Sequence, residues 1–147
     1  MVTTKASSDT VTHGIRIRAA AEYLPDESDP DRPSYVYGYR IAMTNEGNET
    51  LTLEHRHWII IDGNGRRSEV RGAGVVGDFP RLAPGDRYEY SSRCPLPTSW
   101  GTMEGSYRFR RADDTRVDVL VGRFFLSTNL ASAADQLAHE VHSQGAD

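Results

Sequence analysis

Several stretches of this chain combine residue type and spacing in ways that could support chemistry. Gly72-Ala73-Gly74-Val75-Val76-Gly77 matches the pattern G-x-G-x-x-G. In a dinucleotide-binding unit such a run follows a strand and opens a helix, whose N-terminus receives a pyrophosphate. Here Pro80 and Pro84-Gly85 follow at once and leave no room for that helix. Two readings remain: a Gly-rich connection whose glycines adopt positive φ, and a nest of backbone N–H groups that holds an anion. Arg71 beside the run, with Arg66 and Arg67 upstream, supplies charge for the second. The candidate anion site is therefore Arg71, Gly72, Gly74 and Gly77, with a pyrophosphate or a nucleotide, and a divalent cation beside it, as the ligand class.

His55 and His57 are two apart on a strand and face the same side, with Arg56 pointing away from them. That spacing can supply two metal ligands, but no countable set of three or four is visible, so no metal is assigned. The plainer expectation is one histidine buried at a sheet end and the other exposed. His139 and His142 share a face of a helix expected in the tail. Asp26, Glu27, Asp29 and Asp31 carry oxygen ligands of the kind Mg²⁺ or Ca²⁺ takes, but Pro30 interrupts them and they read as a solvated loop. Cys94, between Arg93 and Pro95, could have a lowered pKa beside that cation. It lacks a recognisable base and oxyanion site and reads as a structural thiol. No catalytic residue is assigned and no cofactor is implied: the expectation is a protein that is not an enzyme.

The elements that position these residues are strands. Val11 to Leu24 opens with Ile15 and Ile17 alternating against Arg16 and Arg18. Prolines and aspartates between Pro25 and Pro33 form a loop. Tyr35, Tyr37, Tyr39, Ile41 and Met43 share one face of the next strand. Asn45-Glu46-Gly47-Asn48 turns the chain into Leu51 to Ile61, and Asp62-Gly63-Asn64-Gly65 closes a hairpin with Arg66 to Val70. Gly72 to Pro84 reads as loop, Asp86 to Arg93 as a strand, and Pro95 to Ser99 as loop. Gly105 to Arg111 and Thr115 to Leu126 complete the set. No amphipathic helix separates the strands, so βαβ units are absent. The fold expected is all-β: a two-sheet sandwich of seven to nine strands, immunoglobulin- or fibronectin type III-like, ending in a short helical or disordered tail. The expected organisation is a flexible N-terminus over 1–10, one domain over 11–127, and a tail over 128–147 in which Asn129 caps a helix from Leu130 to His142.

With 147 residues the chain suits one domain that buries a core without a metal or disulfide. The formal charge of −4 argues against nucleic acid as a general partner. The single cysteine points to a reducing compartment, and neither a signal peptide nor a membrane-length apolar run is seen, so the expected location is cytoplasmic.

Taken in order, the motifs resemble the ApaG (CorD) family. They include Tyr23-Leu24-Pro25, Arg56-His57-Trp58-Ile59-Ile60, the run from Glu69 to Gly77, Leu82-Ala83-Pro84-Gly85, Cys94-Pro95-Leu96-Pro97-Thr98, and Gly101 to Tyr107. The similarity spans Ile15 to Leu126, with Arg56, His57, Trp58 and Cys94 among its most specific residues. The tail from Thr128 departs from the family. The resemblance implies a sandwich domain, a genetic link to cobalt resistance and magnesium efflux, and, through eukaryotic relatives, a non-catalytic interaction module. It also implies nucleotide or pyrophosphate binding at the glycine loop as an alternative. The partner classes carried forward are a protein, a phosphate-containing small molecule, and a second copy of the chain, with neither nucleic acid nor membrane expected.

Overall fold

Alternating apolar and polar residues become nine strands in a computed structural model that describes residues 6–128. They are β1 Ser7–Thr12, β2 Ile15–Tyr23, β3 Tyr35–Asn45, β4 Leu51–Asp62, β5 Arg67–Ala73, β6 Arg81–Leu82, β7 Arg87–Leu96, β8 Trp100–Arg111 and β9 Arg116–Ser127. One sheet runs β1-β2-β3-β7. The other runs β5-β4-β8-β9, with β6 on β4, and every described pairing between strands is antiparallel. This is the expected two-sheet sandwich. No helix among the described residues is long and apolar enough to cross a membrane.

The core forms where the two inner faces meet. Ile15, Ile17, Ala19 and Ala21 from β2 and Tyr37, Tyr39, Ile41 and Met43 from β3 are buried at strict alternation. Two β-bulges keep the opposite sheet in phase. On β4 the register against β8 shifts between Leu53 and His55, so Leu51 and Leu53 point inward and then Trp58 does. On β9 a shift opposite Met103/Gly105 carries the inward row from Val117, Val119 and Val121 to Phe124 and Leu126. Trp58 sits at the centre, edge-on to Tyr39, Tyr107 and Phe124 at 5.5, 6.0 and 6.1 Å.

Several boundaries differ from the sequence reading. The segment from Val11 to Leu24 is not one strand, because His13 and Gly14 both take positive φ (51° and 79°) and fold β1 back on β2. Ser7 to Thr10, assigned to a flexible N-terminus, belong to β1. Their hydroxyls bond across to β9 rather than into an apolar core, so no hydrophobic pattern announces them. Gly72 and Ala73 lie within β5, and Pro95 lies within β7. Strand β7 ends its sheet, and a missing N–H there need cost no ladder bond. The proposed tail helix, its cap Asn129, and His139 and His142 lie outside the described residues.

The two sides of the sandwich are closed differently. On one side Ser8 Oγ donates to the Gly122 carbonyl at 2.7 Å, Thr10 Oγ1 to the Leu120 carbonyl at 2.9 Å, and Leu120 N–H to Thr12 Oγ1 at 3.2 Å. These bonds stitch β1 to β9. On the other side β7 and β5 stand apart across an open cleft.

Candidate functional site

The bulge in β4 decides where the Arg-His-Trp run sends its side chains. Past it, Arg56, Trp58 and Ile60 face inward and toward the cleft, while His55 and His57 face the outer surface. Arg56 is half-buried. Its Nη1 donates to the carbonyls of Ala73 (3.0 Å) and Gly74 (2.9 Å), and it has no carboxylate partner among the described residues. Gly72 makes this possible: a Cβ there would lie 2.6–2.7 Å from the guanidinium. The guanidinium sits within electrostatic reach of Tyr39, Tyr90 and Tyr107. The last two hydroxyls bond each other at 2.6 Å in the core.

The cleft has a volume of about 400 Å³. Its floor is Trp58, Ile60, Leu96 and Met103, and its rim carries Arg56, Arg66 and Arg93 against Asp62. Asp62 Oδ1 is already occupied by the backbone N–H groups of Asn64 and Arg66 (2.9 and 3.0 Å). The Trp58 indole Nε1–H is buried with no acceptor among the described residues. A size of this order, apolar walls and a few polar groups are the usual make-up of a binding cleft.

The glycine run is arranged differently from a nucleotide loop. Gly74 N–H donates to the Glu54 carbonyl (2.8 Å), and Val75 and Asp78 exchange both their N–H···O bonds (2.9 and 2.8 Å). Val76 and Gly77 take φ of 43° and 84°, so the segment is a tight hairpin turn. These three N–H groups are engaged within the chain. Arg71 points outward, 71% exposed and 3.9 Å from Glu69. It borders a hollow on the outer face with His55, His57, Gly72, Arg108 and Asp118.

Several of the remaining candidates are tied to a local partner. His57 Nε2 lies 3.1 Å from Glu69, and that contact, with Arg67 and Arg71 nearby, holds the Glu69 carboxyl below its usual range. His57 is partly buried and His55 exposed, so neither is the buried histidine expected at a sheet end. Of the acidic loop, Glu27 pairs with Arg93 (3.1 Å) and Asp29 with Arg32 (3.3 Å). Among the described residues no three His, Cys, Asp or Glu side chains converge as a metal cage would require. Cys94 is buried, and burial pushes its thiol up to about 11 rather than down. Strand alternation sends Arg93 the other way, to Glu27. Sequence reasoning passed over the cleft itself. Its signal was the i, i+2, i+4 row of Arg56, Trp58 and Ile60, a cation aligned with a core tryptophan.

Comparison with known proteins follows the same line. Residues 25–111 match the model of the ApaG domain. The Protein ApaG of Aromatoleum aromaticum is 44% identical over 120 residues, which cover 82% of this chain and 94% of that one. The Protein ApaG of Brucella canis is 45% identical over 116 residues, covering 79% and 89%. In the crystal structure of a Bordetella pertussis protein described as ApaA, 40% identical, the match covers 88% of this chain and all of that one with a TM-score of 0.74.

Proposed function

The chain belongs to the ApaG domain family, and from that premise we propose that it is a cytoplasmic, non-catalytic binding module that engages a protein partner at the cleft between β5 and β7. The observation that carries this reading is Arg56. The guanidinium spends Nη1 on the Ala73 and Gly74 carbonyls and has no carboxylate partner among the described residues, which leaves its remaining N–H groups available to an acceptor from outside the chain. It lies over an apolar floor that includes an indole N–H without an acceptor among the described residues. The cation-homeostasis link implied by the family resemblance is, in this reading, exerted through the partner.

The test is site-resolved photocrosslinking in cells. A benzophenone amino acid replaces Val70 at the cleft or Val11 on β1, two valines of similar exposure (42% and 49%). The expected result is a protein adduct from position 70 and none from position 11. Absence of an adduct at 70, or equal adducts at both, would overturn the reading.

The outer hollow beside Arg71 and Gly72 favours a second reading, in which pyrophosphate or a nucleotide binds there; Gly74 and Gly77, the other glycines of the sequence candidate, do not line it, and the Gly74 N–H is held by Glu54. Amide NMR during a pyrophosphate titration should then show saturable shifts centred on Arg71 and Gly72. Arg71→Ala should weaken binding by about 1.5–3 kcal/mol, the range for a charged hydrogen bond. Unmoved spectra would remove this reading.

A further inference from the structure

We propose that the free edge of β5 takes an extended acidic peptide as an added strand, seating the peptide's apolar side chains in the cleft. The proposal rests on the binding-module reading and names the edge used and the chemistry of the partner. Among the described residues, strand β5 ends its sheet, pairs only with β4, and is exposed along its length except at Gly72. Such an edge presents unpaired N–H and C=O groups to any strand that can lie beside it.

The other edges among the described residues are managed, and β6 is only two residues long. β1 and β9 are bonded to each other through Ser8, Thr10 and Thr12. Strand β7 contains Pro95, which has no N–H to donate. β5 contains no proline.

The chemistry flanking β5 selects the partner. On its outer face Arg67, Arg71 and His57 surround a single carboxylate, Glu69. On its inner side Arg56 and Arg66 have no carboxylate partner among the described residues. A chain of net charge −4 therefore carries a cationic strip along this one edge. Two copies of β5 laid antiparallel about Glu69 would oppose Arg67 to Arg71 and Glu69 to Glu69, which disfavours self-pairing in that register. An acidic strand sets its carboxylates on the outer face, against Arg67, Arg71 and His57 and beside the hollow that Arg56 also lines. Because its side chains alternate, its apolar ones would cover Val70, 42% exposed and in register with Trp58.

The experiment uses the full chain, isotope-labelled, and blocked peptides of alternating glutamate and valine. The expected result is saturable shifts over Arg67 to Ala73 and at the Trp58 indole N–H, with slowed amide exchange in β5. A lysine–valine peptide should bind at least about tenfold more weakly. Of two versions N-methylated at alternate positions, one should lose binding, because only one set of peptide amides faces β5. Arg71→Glu, at an exposed position that does not threaten folding, should weaken the glutamate peptide and strengthen the lysine peptide. Equal binding of the lysine peptide, binding by both N-methylated versions, reproduction of the shifts by acetate or pyrophosphate, or self-association through β5 would each overturn the proposal. If the peptides fail while position 70 still crosslinks a protein, the acidic-strand inference falls and the module stands. If both fail, the module reading falls with it.

Discussion

At the scale of single residues, the glycine run shows how one pattern hides three different requirements. Gly72 yields space to the Arg56 guanidinium. Gly74 combines φ of +62° with a position where a Cβ would lie 2.4 Å from the Asp78 carbonyl. Gly77 has positive φ but nothing within 4 Å. Gly74→Ala is therefore expected to lower stability by about 1–3 kcal/mol, the range for forced backbone strain. Gly77→Asn, which tolerates the left-handed region, should stay within about 0.5 kcal/mol. Urea titration of the two variants checks the contrast, and equal losses would refute it. The same scale settles Cys94. With its thiol raised to about 11 by burial, modification by a disulfide reagent at pH 8 should be slow in the native protein and fast in urea. Arg93→Gln should leave the native rate unchanged, because the guanidinium is turned to Glu27. A slowed rate in that variant would show that Arg93 does activate the thiol.

At the scale of elements, the asymmetry between the two sides of the sandwich carries the functional argument, and it can be perturbed on its closed side. Gly122 lets β1 approach β9: a Cβ there would meet Thr10 Cγ2 at 2.9 Å and Ser8 Cβ at 3.3 Å. Gly122→Val is expected to open this seam at a cost of about 1–3 kcal/mol, as overpacking does. Hydrogen exchange should quicken in β1 first and leave β4 and β5 at parental rates. Uniform acceleration would mean the seam is not an independent unit. Strands with an apolar alternation, such as β2, β3 and β9, were legible in the sequence because alternation is the signature of a half-buried sheet. Strand β1 was not, because Ser8, Thr10 and Thr12 reach β9 by hydroxyl hydrogen bonds and leave no hydrophobic trace. The cleft was only half legible. Arg56 could be placed on the Trp58 side of β4, but that β7 and β5 part there depends on how two sheets twist past each other. No local pattern records that.

At the scale of the whole molecule, the phenols packed between the sheets set how stability responds to pH. Tyr37, Tyr90 and Tyr107 are all raised above the usual tyrosine range, chiefly by burial, and Cys94 is raised likewise. A buried acid with a raised pKa keeps its proton in the native state after the unfolded chain has released it. Where the unfolded state binds fewer protons, stability falls as pH rises. That window opens at the ordinary thiol and phenol values of 9.0 and 10.0 and extends upward through the raised ones. Each such group contributes a slope of up to about 1.4 kcal/mol per pH unit inside its window. On the acid side Glu54, Glu69, Glu89 and Asp113 are lowered by exposed partners, so their stabilisation is present at neutral pH and fades as pH falls through the carboxylate range. Solvent screening keeps that limb shallow. The urea midpoint, followed from pH 4 to 11 under reducing conditions, should therefore be nearly level from about 6 to 9 and fall steeply above it. Tyr107→Phe removes one titrating phenol. It leaves Tyr90 without its hydroxyl partner, so it should cost about 1–3 kcal/mol at pH 7. Its alkaline limb should nonetheless be shallower than the parent's. A parental curve that stays level to pH 11, or a variant limb as steep as the parent's, would mean that these hydroxyls ionise in place and that the space between the sheets is wetter than its packing implies.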